Sequence, residues 1–119
     1  MEGKKAIIPT TVGGDKAYYD PRSINCCMDD LLYPITHNMF FYTGFEALPS
    51  HVTYEVNKAD EENFNNSTKK FFNTLDNIDN TKPVPFRKQN FGDHEIPSCV
   101  LKERKEKPGA SGFDLHLTM

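Results

Sequence analysis

SHVTYEVNKADEENFNNSTKKFFNTLDNIDNTK, from Ser50 to Lys82, is the one long stretch of this chain that contains no proline. Proline fixes φ and removes a backbone donor, so helix interiors and central strands exclude it. The eight prolines stand at positions 9, 21, 34, 49, 83, 85, 97 and 108, and outside 50–82 no proline-free run exceeds fourteen residues. Only this window has room for a long helix. Its second part predicts one from about Ala59 to Asp79, where Asp60, Glu61 and Glu62 complement the positive end of the helix dipole. Phe64, Phe71, Leu75 and Ile78 fall on one stripe, with Thr68 filling the gap. Asn63, Asn65, Asn66, Asn73 and Asn77 are mediocre helix formers, so the stripe must supply the stability. Ahead of the helix, His51 to Asn57 alternates: Val52, Tyr54 and Val56 oppose Thr53 and Glu55, the pattern of a half-buried strand.

Nearer the N-terminus, Asp20-Pro21 offers a helix start, with a capping carboxylate and proline at the first helical position. Ile24, Cys27, Met28, Leu31 and Leu32 follow at the spacing of one apolar face, which predicts a helix over 21–33 ending before Pro34. Met39 to Phe45 is aromatic-rich and reads as extended. Lys4 to Val12 is an extended segment interrupted by Pro9, hence an edge strand if a strand at all. Gly13-Gly14-Asp15 is a turn signal. Lys82-Pro83-Val84-Pro85-Phe86 follows a polyproline-like path, and Lys88 to Pro97 has no period. Cys99-Val100-Leu101 and the alternating C-terminus from Phe113 are short strand candidates.

At 119 residues the chain is one domain at most, and residues 82–119 read as a candidate extended tail. The net charge of −3 is unevenly spread: residues 81–119 carry seven basic and five acidic groups and are the only positive part. Lys102, Arg104, Lys105 and Lys107 are diluted by Glu103 and Glu106, which argues against nucleic acid. No apolar run approaches the ~20 residues that span a bilayer, and Met1 to Lys5 lacks the apolar core of a secretory signal. Three cysteines, two of them adjacent at 26 and 27, argue against a disulfide framework and for a reducing, cytoplasmic compartment.

Four histidines (37, 51, 94, 116) and three cysteines have no metal-ligand spacing. A thiol nucleophile at Cys26, near the helix start and Arg22, or at Cys99 lacks an oxyanion hole and a base chain. Asp29-Asp30 and Asp60-Glu61-Glu62 read as solvated helix turns. Gly13-Gly14-Asp15-Lys16 lacks the rest of a phosphate loop. These absences predict a non-catalytic protein without cofactor or metal.

What remains is a series of aromatic anchors on proline- and glycine-ruled segments: Tyr18-Tyr19-Asp20-Pro21, Thr43-Gly44-Phe45, Pro83-Val84-Pro85-Phe86, Asn90-Phe91-Gly92 and Gly112-Phe113. Such a chain can run over a protein partner and drop one ring into each pocket. In this texture it resembles the small microtubule inner proteins of ciliary and flagellar doublets. The resemblance implies tubulin as the partner, an axonemal location and a structural role. The expected partner-binding residues are Tyr18, Tyr19, Phe45, Phe64, Phe71, Leu75, Phe86, Phe91 and Phe113. The fold then expected is an irregular, extended α+β chain with two helices (21–33 and 59–79), short strands and long proline-punctuated segments. The competing expectation is a compact α+β domain serving as an adaptor, inhibitor or accessory subunit. In it, strands near 5–12, 39–45, 51–57, 98–104 and 113–118 form one antiparallel sheet covered by both helices.

Overall fold

In the computed structural model, which describes residues 1–89 and 92–118, the segment after Lys4 is a strand in two pieces, β1 (Lys5–Ala6) and β2 (Pro9–Thr11). A second strand runs beside it, also in two pieces, β3 (Glu46–Ala47) and β4 (His51–Thr53). The pairing is parallel, with Lys5 opposite Glu46 and Thr10 opposite Val52. Parallel neighbours require a crossover, usually a helix, and the helix between Ala6 and Glu46 provides it. The expected antiparallel sheet is therefore corrected in direction. The expected irregular path is corrected as well, because residues 5–76 form a parallel strand–helix–strand–helix unit.

The crossover helix, α1, spans Met28–Ile35 and continues as a π turn over Thr36–Phe41. It starts at Met28 rather than Pro21. Asp20-Pro21 instead closes a turn in which the Ser23 N–H donates to the Asp20 carbonyl at 2.9 Å, and Cys26 stands at φ 55° before the helix begins. Nor does it stop at Tyr33. Pro34 lies inside the helix without an N–H to give, and downstream bonds slip to i−5: Tyr42 N–H to His37 at 2.9 Å and Phe45 N–H to Phe40 at 3.0 Å. The aromatic stretch expected as a strand over 39–45 is the end of this helix and the turn that follows.

Helix α2 spans Glu61–Asp76, within the expected 59–79. The Asp60 carboxylate accepts from the Asn63 N–H at 2.8 Å and caps its start. Phe71 meets the His51 ring at a centroid distance of 5.1 Å, while Phe72 points outward at 57% exposure.

Beyond Asn80 the chain turns back onto the sheet and α1. Val84 donates to the Ala47 carbonyl at 2.8 Å, and Phe86 buries its ring among Tyr33, His37, Phe41 and Phe113. Arg87, 3% exposed, donates to the carbonyls of Leu115 (3.0 Å) and Lys105 (2.8 Å) and to the Asp93 carboxylate (2.6 Å). The strands expected at 98–104 and 113–118 are isolated antiparallel bridges, His94 with Leu101 and Phe86 with Leu117, beside a 3-10 turn over Gly112–His116. That turn is tied to α1 by the Phe113 N–H, which donates to Asp30 Oδ1 at 2.6 Å. Met28, Ala47, Leu48 and Phe86 form the buried apolar core among the described residues.

The His116 ring lies against Tyr33 at 4.6 Å and 5.8 Å from His37. Burial, and then the neighbouring His37, His94 and Arg87, hold its pKa below the ordinary value, with Asp30 opposing. The folded state therefore favours neutral His116. Its contribution to stability is complete above the unfolded-state value of about 6.5 and is lost as pH falls towards the lowered folded value. Stability measured by urea denaturation is expected to fall between pH 7.5 and 5.5, and His116→Gln should flatten that slope.

Candidate functional site

Parallel strands end on the same side, and in open α/β sheets ligands bind in the crevice outside those carboxyl ends. Here the ends are Thr11 and Thr53. Beyond Thr11 run Val12, Gly13, Gly14 and Asp15, then a 3-10 turn over Lys16–Tyr19. Beyond Thr53 come Tyr54, Glu55 and a 3-10 turn over Val56–Lys58. Three backbone bonds join the two loops: Val12 N–H to Thr53 at 2.9 Å, Val56 N–H to Val12 at 3.1 Å, and Glu55 N–H to Gly14 at 3.0 Å.

An added Cβ on either glycine would displace a neighbouring side chain. A Cβ on Gly13 would lie 2.6 Å from Asn57 Nδ2, and one on Gly14 would lie 2.8 Å from Cδ2 of Tyr18. Tyr19 packs on Tyr54 with ring centroids 5.8 Å apart and a 50° tilt. Glu55 holds φ 54°, a left-handed conformation that costs a non-glycine residue about 1 kcal/mol or more. Strain of this kind concentrates at functional sites. Burial first, then the negative charges of Asp29, Tyr19 and Asp20, push the Tyr54 phenol above its ordinary pKa. Tyr54 is thus a neutral O–H donor at neutral pH.

The start of α1 offers no anion site and no nucleophile. Asp29 and Asp30 occupy its first turn. The Cys27 thiol donates to Asp30 Oδ2 at 2.8 Å, and burial, that bond and the adjacent carboxylates raise its pKa, the reverse of what an attacking thiolate needs. Among the described residues no group of three or more His, Cys, Asp or Glu side chains is arranged to hold a metal ion.

The expected binding residues separate into several places. Tyr18 and Tyr19 lie at the crevice, Tyr18 exposed and Tyr19 half-buried. Phe45 packs on Phe40 at 5.9 Å. Phe86 and Phe113 meet each other at 5.6 Å under the C-terminal segment. Phe64, Phe71 and Leu75 lie along α2, with Phe64 65% exposed. Phe91 lies outside the described residues. Sequence reasoning missed Gly13, Gly14, Tyr54 and Glu55 as a site. The signal was a glycine pair directly after an extended segment, set aside because Gly13-Gly14-Asp15-Lys16 lacks the rest of a phosphate loop.

The sequence model of the Flavodoxin-like fold family matches residues 1–75. The chain is 39% identical over 116 residues to a ribosyldihydronicotinamide dehydrogenase-like protein of Penicillium crustosum, covering 98% of this chain and 42% of that protein. It is 25% identical over 105 residues to NAD(P)H dehydrogenase (quinone) 1 of Cavia porcellus, covering 88% of this chain and 38% of that one. The solved structure of a quinone reductase, so described as putative, from Klebsiella pneumoniae superposes with a TM-score of 0.89 at 44% identity, covering 98% of this chain and 45% of that one. The chain spans less than half the length of the curated relatives it matches. These likenesses overturn the expected microtubule inner protein, and with it the tubulin partner, the axonemal location and the non-catalytic structural role. Pro9 lies here in β2 and Pro34 in α1 of a parallel α/β fold, whose relatives are named as dehydrogenases and a quinone reductase. No helix among the described residues is long and apolar enough to cross a membrane. With its parallel strands and crossover helix, the chain belongs to the Flavodoxin-like fold family.

Proposed function

We propose that this chain forms one wall of the active crevice of a quinone-reductase-type oxidoreductase, acting on a nicotinamide donor and a quinone. The observation that carries the reading is the pair of joined loops, one with Gly13 and Gly14 and the other with Tyr54, at the carboxyl ends of two parallel strands, in a chain 44% identical to a protein described as a quinone reductase. The fold family implies a flavin, which flavodoxin-like sheets bind at this kind of crevice. The residues fit its ring system better than its phosphate. The N–H groups of Gly13 and Gly14 have no protein partner among the described residues and would serve ring carbonyls. Tyr19 and Tyr54 offer ring faces. The acidic surroundings of Asp20, Asp29 and Asp30 disfavour an anion. A bound flavin supplies the chemistry of accepting a hydride from a nicotinamide and passing reducing equivalents to a quinone. The protein's own part is to present bare backbone donors, to hold the two tyrosine rings against each other, and to keep the Tyr54 proton in place as a donor.

Titration of flavin mononucleotide and flavin adenine dinucleotide with the purified chain is expected to quench flavin fluorescence saturably. Gly14→Val, whose side chain collides with Tyr18, should weaken that binding about tenfold or more. Naphthoquinone reduction by a dihydronicotinamide should fall in parallel. Absence of saturable quenching with both flavins, or unchanged binding by Gly14→Val, overturns the reading.

A further inference from the structure

Three of the four histidines, 37, 94 and 116, stand far apart in the sequence and come together in the fold. With Tyr33 and Gln89 they line a cavity of about 370 Å³, within the range of small-molecule sites. The cavity shares no residue with the loops after Thr11 and Thr53. Tyr33 is its aromatic wall: the ring stacks on His37 at 4.6 Å with an 11° tilt and leans on His116 at 4.6 Å.

Hydrogen bonding fixes which ring nitrogens are left over. A carbonyl or amide oxygen only accepts, so each bonded Nδ1 carries the proton. His37 Nδ1 donates to Asn38 Oδ1 at 2.8 Å, and His94 Nδ1 donates to the Lys88 carbonyl at 2.8 Å. In the neutral ring the lone pair then sits on Nε2, which in both residues has no protein partner among the described residues. His37 is only 9% exposed, yet no polar side-chain atom among the described residues is sealed in without a partner. Its Nε2 therefore reaches the cavity that the residue lines. A mostly buried acceptor with nothing to accept from is a place where a ligand gains a hydrogen bond.

The same groups select the ligand. His37 and His116 lie against Tyr33 rather than aiming at one centre, and no group of three among the described residues is arranged for a metal ion. Arg87 beside His116 disfavours a cation, and the lone pairs of neutral imidazoles disfavour an anion. We propose that this cavity binds a neutral hydroxyaromatic compound, with its ring beside Tyr33 and its O–H donated to His37 Nε2. A second hydroxyl, where the ligand has one, is donated to His94 Nε2. The site is additional to the loops at the strand ends and does not rest on the oxidoreductase reading.

The probe is β-naphthol, which is fluorescent, uncharged at neutral pH and needs neither flavin nor turnover. Titration into the purified full chain is expected to saturate, with the methyl ether of naphthol binding about tenfold more weakly because it has no hydrogen to donate. His37→Phe, which keeps an aromatic ring against Phe86, and His94→Ala, at a half-buried loop position, should each weaken naphthol binding about tenfold. In the unsubstituted chain, naphthol should shift the imidazole resonances of His37, His94 and His116 and leave the Gly13 and Gly14 amides in place. Absence of saturation, equal affinity for the ether, tighter binding of β-naphthoate, unchanged affinity in both histidine variants, or shifts at Gly13 and Gly14 in place of the histidines would each overturn the proposal.

Discussion

Phe86→Ala is expected to lower the free energy of unfolding by about 3–5 kcal/mol. The ring is 6% exposed, with His37 at 5.0 Å, Phe41 at 5.3 Å, Phe113 at 5.6 Å and Tyr33 at 6.3 Å between centroids. Removing it empties the space where three separate parts of the chain meet: α1 with its π turn, the 82–87 segment and the C-terminal 3-10 turn. A domain of ordinary stability has about 5–15 kcal/mol in total, so this substitution consumes a large share. The check is the urea midpoint at constant denaturant slope. A loss under about 1 kcal/mol would mean that the aromatic cluster repacks freely around the cavity.

Arg87→Met should cost about 3 kcal/mol, by a different route. The guanidinium is nearly inaccessible, and its donors are divided among Leu115, Lys105 and Asp93. Methionine fills most of the volume but leaves two carbonyls without a partner. Asp93 is 31% exposed and can turn to water, so less of the cost lies in that pair. Arg87→Lys should lose nearly as much, because an ammonium cannot reproduce the planar fork that reaches three acceptors. Adding Asp93→Asn to Arg87→Met is expected to recover less than about 1 kcal/mol. Full recovery in the double variant would instead assign the cost to an unpaired carboxylate.

What the sequence made legible was local. The helix at 61–76 could be read because a proline-free window, a capping Asp60 and an aromatic stripe agree with one another. Strand direction could not be read. Strands of two and three residues are too short to alternate, and whether Glu46–Thr53 runs with or against Lys5–Thr11 depends on where the intervening helix carries the chain. Pro34 misled for a related reason: a π turn absorbs a proline that a regular helix would not. The candidate site was hidden more deeply. It is built from backbone N–H groups and two packed tyrosines, and none of these has a sequence signature beyond an adjacent glycine pair. Tyr54 read as one face of a strand, Glu55 as the other, and neither pattern records that the chain turns left-handed between them.

The π turn after Pro34 has a consequence for phase. In a regular helix, residues 33, 37 and 41 drift around the axis, because each step is about 100° and eight steps overshoot two turns by roughly 80°. A π turn accommodates more residues in the same revolution. Tyr33, His37 and Phe41 can thereby face a common neighbour, and His37 and Phe41 both touch Phe86. The helix thus behaves as if it carried an inserted residue, and the insertion sets which way its second half looks. Proline at 34 acts as an angular offset: it gives up one hydrogen bond and, by rotating everything after it, brings the ring at 41 to the same side as the ring at 33.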